Sequence, residues 1–355
     1  MVAMARPQWF LLFLFLLLPV QVLGTDPAGL SGKPAHHTAQ GFRNYPPVEA
    51  TGRKLGFEFY WKRFKASFNQ PEVPASHFLP VESALTQFRE LENENSVTWI
   101  GQSTLLIRLN GKTILTDPVF KKHASPFNFG PRRYVDPGIP REQLPPIDII
   151  IVSHNHYDHL DADFIADLPN KDDLAVFVPL KLGSFFKEQG YDNVHELDWY
   201  ESKTIADIQI SALPCVHYSS RGVGDKNKTL WSAWAVTHAS GKYFFLGDSA
   251  YSPVIFKDIG NKFEGFDLAF VSIGTYGNRK YGVNNHTNPE EAVAIGREIK
   301  ARALMGIHWG TIDLSEEDPW EPPDRFKIAA QKAGYAPDHI WLFKIGETRR
   351  LQTYQ

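Results

Sequence analysis

From Ser96 onward the chain is written in short apolar runs separated by turn residues, the rhythm of strands more than of long helices. Residues 97–100 lead to a run at 104–109, then to an Asn110-Gly111 hairpin signal and a partner run at 112–116. The apolar stretch Ile149-Ile150-Ile151-Val152 predicts a buried strand over 148–153. Further strands are predicted over 174–178, 205–216, 231–237, 243–246, 268–273 and 303–307, with a turn at Ser240-Gly241. Helices are predicted around 80–91, 161–168 and 180–189. Asn288 is a natural N-cap, Pro289 suits the first helical position, and Glu290 and Glu291 suit the first turn, so another helix is predicted from there to about Lys300. Strand runs followed by helices in two similar rounds predict an α/β (α+β) chain, a sandwich of two sheets flanked by helices.

Length and composition narrow this reading. The 355 residues and 40.2 kDa allow one large domain or two ordinary ones, and 43% hydrophobic with 22% charged residues describe a soluble chain with ample core. A formal net charge of -3, with no basic stripe, gives no reason to invoke nucleic acid. Residues 1–24 are a separate unit. Arg6 precedes an apolar run from Trp9 to Leu18, Pro19 breaks it, and Val22-Leu23-Gly24 supplies small residues at cleavage positions. That is the plan of a cleaved signal peptide, so an exported protein, periplasmic or secreted, is expected. The alternative, a membrane anchor, is disfavoured because Pro19 and Gln21 leave the run short of the roughly 20 residues a span needs. Residues 25–95, rich in Pro, Gly and aromatics, read as an N-terminal extension packed on a main domain at 96–355. Cys215 is the only cysteine, so no intrachain disulfide forms, and it reads as a small buried residue at a strand end.

The candidate chemistry lies where apolar runs end. Ile149-Ile150-Ile151-Val152 empties into Ser153-His154-Asn155-His156-Tyr157-Asp158-His159. His217, then Asp248 in Gly247-Asp248-Ser249, then His308 in Gly306-Ile307-His308-Trp309-Gly310, follow similar runs. His154 and His156 project the same way in extended chain and can grip one ion, while Asp158 and His159, one turn later, can hold a second. Two divalent cations about 3.5–4 Å apart need several imidazoles and a carboxylate able to bridge them. This set supplies both, and the ligand groups are expected along one rim of the sandwich.

These residues resemble the metallo-β-lactamase superfamily, whose signature is His-x-His-x-Asp-His followed by distant His, Asp and His. Within it, Val97-Thr98-Trp99-Ile100-Gly101, Leu115-Thr116-Asp117-Pro118-Val119-Phe120, Ala124-Ser125-Pro126, Leu144-Pro145-Pro146-Ile147-Asp148 and Glu196-Leu197-Asp198-Trp199 are similar to the N-acylphosphatidylethanolamine-hydrolysing phospholipases D. So are Asn227-Lys228 with Leu230-Trp231, Pro289-Glu290-Glu291-Ala292-Val293, and His36-His37-Thr38 with Gly41-Phe42-Arg43-Asn44.

The resemblance implies an αββα sandwich of two mixed β-sheets flanked by helices, the metallo-β-lactamase fold, carrying two Zn2+, with iron or manganese as alternatives. It implies that His154, His156 and His217 hold one ion, that Asp158, His159 and His308 hold the other, and that Asp248 bridges them. The implied chemistry is hydrolysis of a phosphodiester of the phospholipase D type, giving phosphatidic acid and an N-acylethanolamine, with Asp248, Asp158 and His286 at the reacting centre. Asp117 is implied to orient a ligand histidine, a turn residue before Pro118 being the alternative, and His286 to touch substrate, a surface histidine being the alternative. Gln102 stands where the family has histidine, so its contact to the centre is expected to differ. Tyr157, Arg221 and Lys228 are candidates for the surroundings or for substrate, although for Arg221 and Lys228 a solvated charge is the plainer reading. A phospholipid or related phosphodiester substrate, peripheral membrane contact and a dimer complete what the resemblance implies. Lys280, Gly282, Asn284 and Asn285 stand where the family carries bulky apolar residues, which argues for shorter or more soluble substrates.

Two rival readings use the same residues. A lactonase, or another ester or thioester hydrolase, needs the same metal site, because activated water attacks a carbonyl as readily as phosphorus. A non-catalytic zinc-binding envelope protein is the rival of another class, and the dinuclear ligand set argues against it because structural zinc sites are closed and mononuclear.

Overall fold

The computed structural model describes residues 32–48, 61–62 and 70–352. The expected signal peptide at 1–24 lies outside the described residues, as do 25–31, 49–60 and 63–69 of the expected extension. Among the described residues, fourteen strands form two seven-stranded sheets. The first runs β14-β1-β2-β3-β4-β5-β6, with β1 (Ser96–Gly101), β2 (Thr104–Leu109), β3 (Lys112–Thr116), β4 (Ile149–Ile151), β5 (Ala175–Pro179), β6 (Val194–Leu197) and β14 (Thr348–Arg350). The second runs β13-β12-β11-β10-β9-β8-β7, with β7 (Ser202–Ile205), β8 (Ile208–Leu213), β9 (Ala233–His238), β10 (Gly241–Phe245), β11 (Phe266–Ser272), β12 (Ala301–Ile307) and β13 (Ile340–Trp341). Both sheets are mixed. β3 to β6 are mutually parallel, as are β10 to β13, and the remaining pairs are antiparallel.

Burial on both faces explains why β4 is continuously apolar. Ile149 and Ile151 enter the core between the sheets, whereas Ile150 and Val152 enter a second core beneath helices, as the strand period of two requires. That second core takes Leu85 and Phe88 from α1 (Val81–Glu90), Phe164 and Ile165 from α2 (Ala162–Asp167) and Phe186 from α3 (Gly183–Lys187). The far face of the other sheet is covered by α4 (Pro253–Phe263), α5 (Pro289–Glu298) and α6 (Pro322–Lys332), through Phe256, Ile259, Val293, Ile295, Phe326 and Ala330. The result is an αββα sandwich.

Local chemistry sets the boundaries. Asp161 caps α2 by accepting from the amides of Asp163 and Phe164. Asn288 and Glu291 form a reciprocal capping box at the start of α5. Asn110 and Gly111 both take positive φ, 49° and 70°, as a tight hairpin requires. The run expected as one strand over 205–216 is instead divided. Ala206 and Asp207, at φ 47° and 66°, turn the chain between β7 and β8 without a glycine to announce it. The helix expected over 180–189 is confined to the five residues of α3. β6, all of β7 but Ile205, α4, α6, β13 and β14 lie outside the expected elements. Cys215 is buried in the core between the sheets, where burial pushes its thiol up from the ordinary range.

Candidate metal centre

The ligand-type residues gather at one end of the sandwich because each follows a strand that points there. His154 comes three residues after β4, His217 four after β8, Asp248 three after β10, and His308 directly after β12. Ligand sites in α/β sheets collect at such carboxyl ends. The approach is close enough to constrain the backbone. Gly247 takes φ 59°, and a Cβ there would fall 2.4 Å from that of Ser153, so only glycine fits. His308 itself sits at φ 59°, turning its ring back toward the cluster.

Two groups result. His154, His156, His217 and Asp248 form one, and Asp158, His159, His308 and Asp248 the other, with the ligand atoms of each group within 4.8 Å of one another. His154 Nε2 lies 2.8 Å from His156 Nδ1, and His156 Nδ1 lies 3.3 Å from His217 Nε2. In the second group His159 Nε2 and His308 Nε2 are 3.2 Å apart, each 3.3 Å from Asp158 Oδ2. Asp248 belongs to both: Oδ2 is 3.0 Å from His159 Nε2, 3.8 Å from His217 Nε2 and 3.9 Å from His154 Nε2, while Oδ1 is 3.2 Å from His308 Nε2.

These residues fit two cations by a direct test. Asp248 is buried, yet neither of its carboxylate oxygens makes a well-formed hydrogen bond, although imidazole nitrogens stand 3.0–3.9 Å away. A buried carboxylate without a hydrogen bond costs several kcal/mol unless charge faces it; here the raised His159 ring faces one oxygen at 3.0 Å, and bound cations would face both. Converging imidazole nitrogens with an orphan carboxylate between them are the donor set that divalent cations satisfy.

The electrostatics agree. Burial, reinforced by neighbouring imidazoles, holds His154 and His156 well below the usual histidine range. Burial also lowers His217 to about 4. These rings are therefore neutral, the state in which imidazole ligates. Burial opposes ionisation of Asp158 and Asp248, but His159 and His308 outweigh it and keep both carboxyls well below the carboxylate range. His159 is raised well above its ordinary value because Asp248, Asp158 and Asp117 surround it and overcome its burial.

A second layer fixes the rings. Asp117, wholly buried at φ 34°, accepts from His159 Nδ1 at 2.7 Å, from the Ser153 amide at 2.6 Å and from Ser153 Oγ at 2.6 Å. Ser153 Oγ lies in turn 2.9 Å from His154 Nδ1, so one carboxylate orients a ring in each group. Burial pushes the Asp117 carboxyl up, against His159 and Ser153. The Asn285 carbonyl takes His217 Nδ1 at 3.0 Å, and Thr275 Oγ1 lies 3.3 Å from His308 Nδ1. Gln102 reaches directly into the second group, its Nε2 3.1 Å from Asp158 Oδ2 and 2.8 Å from His308 Nε2.

His286 also stands at the centre, with Nδ1 3.5 Å from Asp248 Oδ2, buried and without a hydrogen-bond partner. Arg279 fixes it from behind by donating to the His286 carbonyl while pairing with Glu291. Arg221 differs from expectation. It is half-buried, and Nη1 donates to the carbonyls of Asn155 (3.1 Å) and Leu160 (2.8 Å) and so braces the ligand loop. Tyr157 is likewise engaged, its hydroxyl donating to the Arg221 carbonyl at 2.7 Å and its ring lying 4.2 Å beneath that guanidinium. Lys228 is exposed on the neighbouring turn. Ser153, Thr275 and the Asn285 carbonyl were not anticipated as supports, and only Ser153, inside the ligand motif, left a local signal.

Comparison with known proteins places this geometry. A model of the β-lactamase superfamily domain matches residues 112–309, more than half of the chain. The chain is 40% identical over 261 residues to N-acyl-phosphatidylethanolamine-hydrolyzing phospholipase D 1 of Caenorhabditis elegans, covering 70% of this chain and 73% of that one. It is 35% identical over 268 residues to the mitochondrial N-acyl-phosphatidylethanolamine-hydrolyzing phospholipase D of Saccharomyces cerevisiae, covering 72% of this chain and 57% of that one. Among solved structures, an isothiocyanate hydrolase from Delia radicum gut bacteria superposes with TM-score 0.58 at 20% identity, over 72% of this chain and 98% of that one. CmlA, a diiron β-hydroxylase from Streptomyces venezuelae, superposes with TM-score 0.55 at 20% identity, over 73% of this chain and 54% of that one.

Proposed function

The chain belongs to the β-lactamase superfamily, alongside the N-acylphosphatidylethanolamine-hydrolysing phospholipases D, and from that membership we propose that it is a dinuclear zinc phosphodiesterase acting on a glycerophospholipid. It is a metal-dependent hydrolase by fold and kinship. The preferred substrate is N-acylphosphatidylethanolamine, cleaved by water at the phosphorus–oxygen bond on the ethanolamine side to give phosphatidic acid and N-acylethanolamine. The observation that carries the chemistry is Asp248, buried and unpartnered between two groups of imidazoles. The likeness to the named relatives carries the substrate class. The apolar run at residues 9–18 supports export as part of the same reading, and a lipid substrate calls for peripheral contact with a membrane.

His154, His156 and His217 would hold one cation, Asp158, His159 and His308 the other, and Asp248 both. When bound, such a pair supplies Lewis-acid neutralisation of phosphoryl charge and lowers the pKa of water to near neutrality. The chain's own residues do the rest. Asp117 keeps the His159 proton on Nδ1 and, through Ser153, orients His154, so each ring presents Nε2 inward. The Asn285 carbonyl does the same for His217. His286 offers a fixed, buried Nδ1 beside Asp248 for a hydrogen bond with the phosphodiester.

The test is mass-spectrometric product analysis of a lipid extract treated with zinc-loaded protein, beside the Asp248→Asn variant. Phosphatidic acid and N-acylethanolamine that appear only with the unaltered chain support the proposal. Turnover of lactones or thioesters with no cleavage of any phosphodiester would overturn it.

A further inference from the structure

Residues 36–44 form a strap that the metal chemistry leaves unused. The chain folds on itself there, the Thr38 amide meeting the Gly41 carbonyl at 2.9 Å and the Arg43 amide the His36 carbonyl at 2.9 Å. At its far end His36 Nε2 and His37 Nε2 bond the two oxygens of Asp198, at 2.6 and 2.7 Å. His36 also stacks on Trp199, with ring centroids 4.2 Å apart. This is another His/Asp group, but each Asp198 oxygen already has its imidazole, unlike those of Asp248, so it reads as a clasp. Midway, Gly41 lies flat against the turn that carries Asn227. A Cβ there would fall 2.0 Å from the Asn227 carbonyl oxygen, which accepts from the Phe42 amide at 2.8 Å.

The near end reaches the metal centre. Asn44 Nδ2 donates to the His217 carbonyl at 3.0 Å, and Asn44 Oδ1 accepts from the His217 amide at 3.2 Å. Trp231 Nε1 donates to the same Oδ1 at 3.2 Å and to the Cys215 carbonyl at 3.1 Å. β8 stops at Leu213, so the His217 peptide lies beyond that strand's ladder and takes both partners from one side-chain amide. Buried main-chain groups must be paired, and a ligand's main chain left unpaired would let its ring drift. We propose that the 36–44 strap is a positioning device for the metal centre: Asn44 fixes the His217 main chain, and the His36–His37–Asp198 clasp and Gly41 hold Asn44 in register. The inference rests on the metal reading of the Asp248 site and is independent of the substrate.

Graded chelation of the zinc-loaded full-length chain tests it, with metal content and the melting temperature of the metal-free protein followed together. Asn44→Ala is expected to release one of the two ions at about tenfold or more lower chelator strength, the scale of outer-layer substitutions, while the second ion and the metal-free melting temperature stay near the unaltered values. Gly41→Ala, which touches no ligand, is expected to act in the same direction by lifting the strap. Should Asn44→Ala not fold, Asn44→Asp keeps the acceptor and loses the donor to the His217 carbonyl, and is expected to show the same selective release to a smaller degree. Release of both ions at unaltered chelator strength would overturn the proposal. So would equal weakening of both ions alongside a matching drop in metal-free stability, the signature of a merely structural strap. An unaltered chain that binds fewer than two ions would instead sink the metal reading itself.

Discussion

Asp117 Oδ2 accepts the His159 Nδ1 proton at 2.7 Å, and the same oxygen takes the hydroxyl of Ser153, which in turn contacts His154. One buried carboxylate thus orients a ring in each of the two ligand groups. Asp117→Asn preserves shape but puts an amide donor where acceptors are needed. We expect metal affinity and kcat to fall about 10–100-fold with KM little changed, because outer-layer partners act through ligand orientation. Isothermal titration with zinc and steady-state kinetics check this, and unchanged affinity with unchanged kcat would remove Asp117 from the centre.

Asp248 carries a heavier prediction. Asp248→Asn keeps the volume but removes the charge that faces both imidazole groups. Activity is expected to disappear while circular dichroism shows a folded chain. The unaltered protein should gain melting temperature on zinc addition, since ligand at about 100 times its Kd stabilises by about 2.7 kcal/mol. The Asn variant should lose most of that gain. A variant that still gains the full increment would show that Asp248 does not hold metal.

The candidate centre was legible in the sequence because its ligand-type residues follow strands whose apolar runs are unmistakable, and because four of them fall within six positions of one loop. The supports were less legible because they come from far away in the chain. Asn44 meets His217 across 173 positions, and Asn285 meets it across 68, so neither contact has a local pattern. Elements were missed for a related reason. β7 has exposed or half-buried residues throughout and shows no apolar alternation, and the Ala206–Asp207 turn lacks the usual glycine. β13 and β14 are two and three residues long, too short to show a period, and are held by their neighbours in the sheets. Arg221 was read as a surface charge because nothing in its sequence surroundings reveals that the carbonyls of Asn155 and Leu160 converge on it.

Acid should weaken the metal-free chain in a defined window. His77 is buried against Trp99, Trp309 and Trp320 and lies 2.7 Å through Nε2 from the Gly310 carbonyl. Burial lowers its pKa to about 4, against the pull of that carbonyl. The folded value lies below the unfolded one of about 6.5, so the unfolded chain binds the extra proton between them. Stability from this group is complete above about pH 6.5 and is lost as pH falls toward 4, by up to about 3 kcal/mol at 1.36 kcal/mol per unit. Melting temperatures of chelated protein at pH 7 and pH 5 should differ less in His77→Gln than in the unaltered chain. An equal difference would mean that His77 does not titrate with folding.

For the proposed lipid substrate, the segment leading to His286 sets an expectation for acyl-chain length. Lys280 pairs with Glu316 at 2.5 Å, and the Tyr281 hydroxyl donates to the same carboxylate at 2.7 Å, so residues 280 and 281 present a tied, polar surface just before Asn285 and His286. A long acyl chain laid over this stretch would strip water from charged groups and gain little in return, since apolar burial contributes about 25 cal/mol per Å² only where the surface beneath is itself apolar. Short-chain or lysophospholipid substrates, soluble as monomers, should therefore be cleaved with kcat/KM at least equal to that of long diacyl lipids in vesicles. Replacing Lys280 and Glu316 together by leucine should shift the preference toward longer chains by several-fold, with the metal content unchanged. Initial rates across an acyl-length series, measured below and above each critical micelle concentration, decide the matter: a strict requirement for long diacyl lipid in bilayers would show that the chains bind elsewhere.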